Sequence, residues 1–411
     1  MNPNATSKTP LTPSERPFQC GVVTLGIVSL LTDLSSEAIF AVLPIYFVSV
    51  LGGSALAMGV MEGLADLAAS SLDLASGYLS DRTGRRKGIA WSGYAVSALA
   101  KSLLVFVASV GGVIAFRVLD RLGKSVRGAP RDALLATMAP EGRRGLSFGL
   151  HKAFDKAGAV VGPFVAFLML TRWGATQETF HILFLTALAP AVLAVVVLWL
   201  FVKDRPAVAP PHRRRMRDTW KKLGRPYRRY LLSSAVFSLG YFSFAFLVLK
   251  AKSVGFTAQD QALLYGLLNL VFTITSVPIG WLGDRVGQRT IVIVSYLTYA
   301  GTAAGFMVAE TPIAVGAMFV VYGVFYAMNE GQAKAYLSDL TEDATRATAI
   351  GIYGVVTGLA YLPASLIAGT LWPRGPAWAF AFAIGTSILA LILFLFKLDT
   401  KQANQPTIAT D

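Results

Sequence analysis

Apolar residues run through this chain in long blocks separated by short polar stretches rich in Gly, Arg and Asp. The blocks predict helices near 19–50, 57–80, 88–109, 113–139, 146–170, 179–202, 230–250, 258–282, 290–309, 311–338, 347–371 and 375–397. Each is long enough to cross roughly 30 Å of hydrocarbon as a helix. None alternates polar and apolar residues with the period of two that a barrel strand requires. The pattern therefore predicts an all-α membrane protein with twelve transmembrane helices. Its one long polar interruption divides the chain into a six-helix half over 1–202, a linker over 203–229 and a second six-helix half over 230–411.

Composition agrees, since 411 residues that are 54% hydrophobic and only 15% charged carry more apolar surface than a soluble core can hide. With the N-terminus inside, the inner segments hold 24 Lys and Arg and the outer loops only four, Arg172, Lys250, Lys252 and Arg374. Both termini are thus expected to be cytoplasmic, in a plasma membrane such as the bacterial inner membrane. The formal charge of +14 raises the question of nucleic acid, but 11 of the 37 basic residues lie in the linker beside Pro206, Pro210 and Pro211. They read as a positive-inside anchor that attracts anionic lipid heads. The expected partners are the lipid bilayer and a small-molecule substrate, with no nucleic acid, and the chain is expected to be a monomer.

The first 17 residues are polar and lack the order of a cleaved signal, so the first helix is expected to stay in the protein. A single cysteine, Cys20, excludes an intramolecular disulfide. His151, His181 and His212 are scattered without metal-ligand spacing, and no phosphate-binding loop is present. No catalytic residues, no metal and no cofactor are expected, which leaves an ion gradient, of protons, as the source of energy.

The charges inside the spans change the picture most. Nine basic and nine acidic residues fall within the predicted helices, and all but Lys334 and Glu330 lie in the first half. A charge at the membrane centre costs about 2.5–3.5 kcal/mol even on the lenient insertion scale, so these groups must face a wet cavity or one another. In helix 1, Asp33 and Glu37 stand one turn apart on one face. In helix 2, Glu62, Asp66 and Asp73 fall within about 40° of one another. In helix 4, Arg117, Arg121, Lys124, Arg127 and Arg131 cover an arc of about 120°, a cationic rail opposite acidic neighbours. Asp33, Glu37, Asp66, Arg121 and Lys124 lie near the middle of their spans. Asp73, Arg127, Arg131, Asp132, Lys152, Asp155 and Lys156 lie towards the cytoplasmic ends, where they are expected to latch helices 2, 4 and 5 to the loop that follows helix 2. The second half offers aromatic residues instead: Phe237, Tyr241 and Phe244 on one face of helix 7, and Tyr322, Tyr326 and Asn329 on one face of helix 10. A greasy wall with a few polar groups opposite a charged wall suits an amphiphilic or aromatic solute. Glu330 and Lys334, one turn apart, are expected to form a local ion pair.

Two stretches 203 residues apart carry one motif: Gly77-Tyr-Leu-Ser-Asp81-Arg82-Thr-Gly84-Arg85-Arg86 and Gly280-Trp-Leu-Gly-Asp284-Arg285-Val-Gly287-Gln-Arg289. Both sit in short turns between spans. The G-x-L-x-D-R-x-G-x-R pattern resembles the signature loop between helices 2 and 3 of major facilitator superfamily (MFS) transporters, and here it recurs between helices 8 and 9. The resemblance covers nearly the whole chain. It implies two pseudo-symmetric halves, a central cavity lined by helices 1, 4, 7 and 10, and a substrate site near the midplane as one half rocks against the other.

The motif residues Gly77, Asp81, Arg82, Gly84, Arg85, Gly280, Asp284, Arg285, Gly287 and Arg289 then act as a cytoplasmic gate that clamps shut when the cavity faces out. Several drug/proton antiporters of the family resemble this chain in having acids in helix 1 opposite an Arg in helix 4. That likeness makes Asp33 and Glu37 acceptors for protons or a substrate cation, with Arg117 or Arg121 as counter-ion. Where the family's helix 4 reads R-x-x-Q-G, this chain has Asp120 and Arg121 at the last two places. Helix 5 carries Gly158-Ala-Val-Val-Gly162-Pro163, similar to the G-x-x-x-G-P core of the exporter motif, with Ala166 and Phe167 in place of its downstream glycines.

The sequence thus points to a secondary transporter that exchanges an outgoing amphiphilic solute for protons. Asp33, Glu37, Glu62 and Asp66 are the proton-coupling candidates and Arg117, Arg121 and Lys124 the cavity cations. Two other readings stay open: a transporter of an organic anion bound by the helix-4 rail, and a non-transporting sensor or lipid scramblase on the same scaffold.

Overall fold

A computed structural model describes residues 16–140, 143–203, 223–341 and 343–395. The N-terminal half comprises α1 (Arg16–Ile45), a π-helical turn (Tyr46–Val50), α2 (Ala55–Thr83), α3 (Arg86–Leu104), α4 (Val110–Met138), α5 (Arg144–Trp173) and α6 (Gln177–Phe201). The C-terminal half comprises α7 (Arg225–Gly240), α8 (Ala245–Ser253), α9 (Ala258–Val286), α10 (Gln288–Val308), α11 (Pro312–Asp339), α12 (Asp343–Leu371) and α13 (Pro376–Leu395). The helices α7 and α8 together form the seventh span, so the count of twelve spans stands. The linker segment 204–222 lies outside the described residues, as do both chain ends.

Local chemistry marks the helix ends. The hydroxyls of Ser54, Ser109, Thr176 and Thr311 accept from backbone N–H groups in the first turns of α2, α4, α6 and α11, and Thr257 forms a capping box with Asp260 at α9. The two motif turns close at Gly84 (φ 64°) and Gly287 (φ 86°), left-handed backbone that favours glycine. Among the described residues, ten helical spans are long and apolar enough to cross a membrane by length and composition. The helices α3 and α4 fall short of that measure. Seven charged residues of α4 lie between Arg117 and Asp132, and the helix compensates by packing between α2 and α3.

The halves repeat one packing scheme. In the first, α1 packs on α5 and α6, α4 on α2 and α3, and α3 on α6. In the second, α7 packs on α12 and α13, α11 on α9 and α10, and α10 on α13. The halves meet along two seams, α2 against α12 and α5 against α9. Each half has an apolar core of its own. A third cluster joins the two, placing Phe47, Met58 and Met61 with Ala245, Val248, Ala262 and Tyr265. This shared cluster lies at the end opposite the two motif turns. On the turn side a cavity of about 830 Å³ opens between the halves, lined by Lys152, Lys156 and Val160 of α5, Phe272 and Ser276 of α9 and Glu330 of α11.

One predicted span differs from expectation. The seventh is broken, with residues 241–244 outside helix. Tyr299 donates to the carbonyl of Gly240 at 2.8 Å, and Gly240 is pressed against Thr386 of α13, where no side chain would fit. Glycine in a helix interior already costs about 1 kcal/mol relative to alanine, so the break falls at the weakest point of the span.

Candidate functional site

A buried ion pair joins α4 to α2. Arg117 donates from Nε to Glu62 Oε1 at 3.0 Å and from Nη2 to Oε2 at 2.9 Å, with the two residues 2% and 3% exposed. This fork geometry is the strong form of a charge-assisted pair. Phe40 of α1 lies beneath both guanidinium groups, its ring centre 4.1 Å from Arg117 and 5.4 Å from Arg121. Nη1 of Arg117 and Nε of Arg121 are buried donors without a partner. Asp66 lies in the field of Arg121.

Two contacts tie these carboxylates to the other half. The break after Gly240 turns Ser243 towards the N-terminal half, where its hydroxyl donates to Glu62 Oε2 at 3.0 Å. From α9, the hydroxyl of Tyr265 donates to Glu37 Oε2 at 2.5 Å, and Phe244 stacks on the Tyr265 ring with centroids 4.3 Å apart. A third bond, Lys252 Nζ to Ser49 Oγ at 2.9 Å, closes the same end of the molecule. All three lie on the side away from the motif turns.

Deeper in the N-terminal half, Asp33 of α1 and Asp155 of α5 are both buried. Ser29 donates to Asp155 Oδ1 at 2.7 Å and Lys152 to Oδ2 at 3.0 Å. The helices approach this closely because Gly158 and Gly162 present bare backbone. A Cβ on Gly158 would lie 2.9 Å from Leu34 N, and one on Gly162 2.8 Å from Ala38 N. Pro163 follows within the helix and contacts Gly266 of α9, across the seam between the halves. A separate buried set links α3 to α1 and α4: Lys101 donates to Ser36 at 2.8 Å and Ser97 to Asp120 at 2.5 Å.

Several expectations are corrected by this geometry. The counter-ion of Arg117 is Glu62, not Asp33 or Glu37: α2 packs along α4 and brings Glu62 to the guanidinium, while α1 presents the Phe40 ring to it. The helix-4 rail is not one face: Arg127 is buried under α3 with Tyr94 4.5 Å away, while Lys124 is exposed. An arc of about 120° is wide enough to serve different neighbours. Asp155 does not latch to the loop after helix 2; it reaches α1, through the glycine contacts just described. Phe237, Tyr241 and Phe244 do not share a helix face, because the break separates them. Phe237 is core, stacked on Tyr296 at 4.4 Å, and Tyr322 is likewise buried beside Phe325 at 5.5 Å. Tyr241, half-buried among Phe325 and Tyr361, and Tyr326, against Phe272 at 4.8 Å, stand with half-buried Asn329 as what remains of the aromatic wall.

The motif turns make their described contacts within their own halves. Gly77 packs near Ala129, and Arg82 and Arg85 are exposed. Asp284 accepts from Gln288 at 3.1 Å, Arg285 lies 3.6 Å over Trp281, and Arg289 lies 6.0 Å from the Phe394 ring. Gly280 is half-buried in the last turns of α9. The side chains of Asp73, Asp81 and Lys334 lie outside the described residues, so the Asp81 clamp and the Glu330–Lys334 pair do too. Glu330 itself lines the cavity. Ser243, Tyr265, Phe40 and Ser29 are contributors that sequence reasoning missed. Only Ser243 had a signal, a polar residue just past a glycine inside an apolar span.

The family model described as Major Facilitator Superfamily matches residues 25–250 and 231–411. A curated MFS-type transporter of Methanocaldococcus jannaschii, itself uncharacterised, is 34% identical over 389 residues, 93% of this chain and 96% of that protein. The chain belongs to the major facilitator superfamily. It is a multi-pass membrane transporter of that fold. The crystal structure of the nucleoside transporter NupG superposes with a TM-score of 0.74 at 13% identity, covering 92% of this chain and 99% of that one, a likeness of fold alone. At lower identity, the multidrug resistance protein MdtG of Klebsiella pneumoniae is 24% identical over 305 residues, 71% of this chain and 72% of that protein.

Proposed function

We propose that this MFS transporter exports a small amphiphilic solute in exchange for protons, and that Glu37 and Glu62 couple the two movements. The observation that carries the reading is the bond from Tyr265 to Glu37 across the halves, with its parallel from Ser243 to Glu62. Each joins a titratable group of one half to a hydroxyl of the other at the closed end of the molecule. Rocking the halves open at that end must break both bonds. The carboxylate that loses its donor then faces outside water, and a proton takes the donor's place. Closure restores the hydroxyl and sends the proton inward, to the turn side, which is the cytoplasmic side by its excess of Lys and Arg. Such a cycle needs two discrete arrangements that substrate and proton bias differently. The apolar cavity wall of Val160 and Phe272 with two lysines and Glu330 suits a solute with both greasy and charged parts. Export is supported by the Gly158-x-x-x-Gly162-Pro163 seam and by the likeness to a multidrug resistance protein.

Glu37→Gln tests the coupling, since glutamine still accepts from Tyr265 but cannot titrate. With the purified protein in vesicles holding a lumenal pH dye and ethidium as the probe cation, proton movement on adding ethidium is expected to fall to the rate of protein-free vesicles. Proton movement at the unaltered rate in this variant would remove Glu37 from the mechanism.

A second reading has one observation in its favour. The buried unpartnered N–H groups of Arg117 and Arg121 are donors that a solute carboxylate could satisfy. Under it, naphthoate accumulates in the same vesicles and Arg121→Gln abolishes the accumulation.

A further inference from the structure

The cavity on the turn side contains a cation seated on an aromatic ring. Lys156 of α5 lays its ammonium 3.8 Å from the ring centre of Phe272 on α9, a contact that runs from one half of the molecule to the other. An aromatic face attracts positive charge through the ring quadrupole, and ligand ammonium groups are recognised in the same way. Phe272 is 4% exposed and packs against Tyr326 of α11, with ring centroids 4.8 Å apart. Glu330 stands one helical turn beyond Tyr326, on the same face of α11, and lines the cavity together with Phe272. A ring face with a carboxylate beside it is a seat for a cation.

The lysine on that seat is loosely held. Lys152, one turn earlier on α5, gives its charge to Asp155 at 3.0 Å, whereas Lys156 forms no ion pair among the described residues. A cation–ring contact beside water is weak, and the flexible four-carbon stem of a lysine lets its charge swing away into the cavity. Lys156 is half-buried and Glu330 exposed, so a solute in the cavity reaches both. Val160, one turn beyond Lys156, extends the same wall with apolar surface. The lysine and the ring also belong to different halves, and rocking those halves must change the distance between them.

We infer that Phe272 and Glu330 bind the cationic group of the solute, and that Lys156 competes with the solute for this seat as a tethered cation. The inference rests on the reading of this cavity as the solute's and names the solute's class, an apolar organic cation. On binding, the solute's charge takes the ring face next to Glu330, its apolar body lies along Val160, and Lys156 turns to the water. As the turn side closes, the N-terminal half carries Lys156 back to the ring and the solute leaves its seat. A competitor built into the opposite half thus weakens the site at the stage when the solute has to depart.

Ethidium binding to the purified full-length protein, followed by fluorescence anisotropy with no ion gradient, tests the site. Lys156→Gln removes the competitor and is expected to tighten ethidium roughly tenfold, the worth of one cation–ring contact, while Phe272→Leu and Glu330→Gln each weaken it. Because Lys156→Gln is read as a gain, misfolding cannot imitate it. Loss of a positive charge would by itself favour a cation, so the deciding protein combines Lys156→Gln with Phe272→Leu, where the gain is expected to vanish. The uncharged aromatic probe N-phenyl-1-naphthylamine should bind Lys156→Gln and the unaltered chain alike. Ethidium binding that is absent or unchanged in Lys156→Gln, or a gain that survives without the ring, overturns the tethered competitor. Ethidium that binds as expected yet moves no protons in vesicles overturns the exchange reading and leaves the site standing.

Discussion

Replacing Arg117 with Met is expected to lower the stability of the folded bundle by about 3–5 kcal/mol, the usual consequence of removing one partner of a buried ion pair. Arg117 and Glu62 are 2% and 3% exposed, and two charge-assisted bonds join them. Without the guanidinium, Glu62 keeps one neutral donor, Ser243, for a carboxylate shut away from water. Glu62→Gln is expected to cost less. The arginine would retain the Phe40 ring at 4.1 Å, a contact worth about 2 kcal/mol where desolvated, together with the fields of Asp66 and Asp120. The double variant Arg117→Met with Glu62→Leu removes both charges and replaces them with apolar volume, so it should recover most of the loss. Thermal unfolding of the detergent-purified variants, arranged as a double-mutant cycle, measures this. Additive losses in the double variant would mean that the pair holds nothing together, and that the two residues matter only for their separate packing.

That pairing was beyond reach of the sequence, and the reason is physical. Hydropathy places each span to within a few residues, because every backbone group must be satisfied inside the bilayer and only a helix does so locally. Depth follows from position along the span, which is why Asp33, Glu37 and Arg121 could be singled out. Azimuth does not follow so well. The spacing of Arg117, Arg121, Lys124 and Arg127 puts them on one broad arc, yet Arg117 turns to α2 and Arg127 to α3, since α4 is wedged between both. The role of Asp155 depended on how closely α5 approaches α1. The glycines that permit this were visible at 158 and 162, but not the partner helix they serve. Gly84 and Gly287 were legible for the opposite reason: each stands in a short turn between two spans, and glycine takes up the positive φ found there without strain. The break after Gly240 falls at a glycine that the sequence displays, but the tyrosine that takes up its carbonyl lies 59 residues away.

Gly59→Leu is expected to drive the molecule out of the arrangement seen here. The halves meet on the closed side where α2 crosses α12, and there the contact is backbone on backbone. A Cβ on Gly59 would run into the carbonyl of Ser365, one on Gly63 would lie 3.1 Å from Leu362 Cα, and one on Gly369 would lie 2.8 Å from Ala55 O. A leucine at 59 has no flexible neighbour to displace, so α2 and α12 must part. Overpacking of this kind costs about 1–3 kcal/mol. Because the alternative arrangement opens this seam and relieves the clash, the cost falls on one state only and shifts the population by roughly 5–150-fold. Ser49 and Lys252, joined at 2.9 Å across the closed end, supply the readout. In a background where Cys20 is replaced by Ser, a Ser49→Cys, Lys252→Cys pair should cross-link readily, and adding Gly59→Leu should suppress the cross-link by that factor. Ser243→Cys, which sits behind the same closure, should at the same time become open to an impermeant thiol reagent added from that side. An undiminished cross-link in well-folded Gly59→Leu protein would mean that the α2–α12 seam does not open, and that the two halves do not exchange access by parting there.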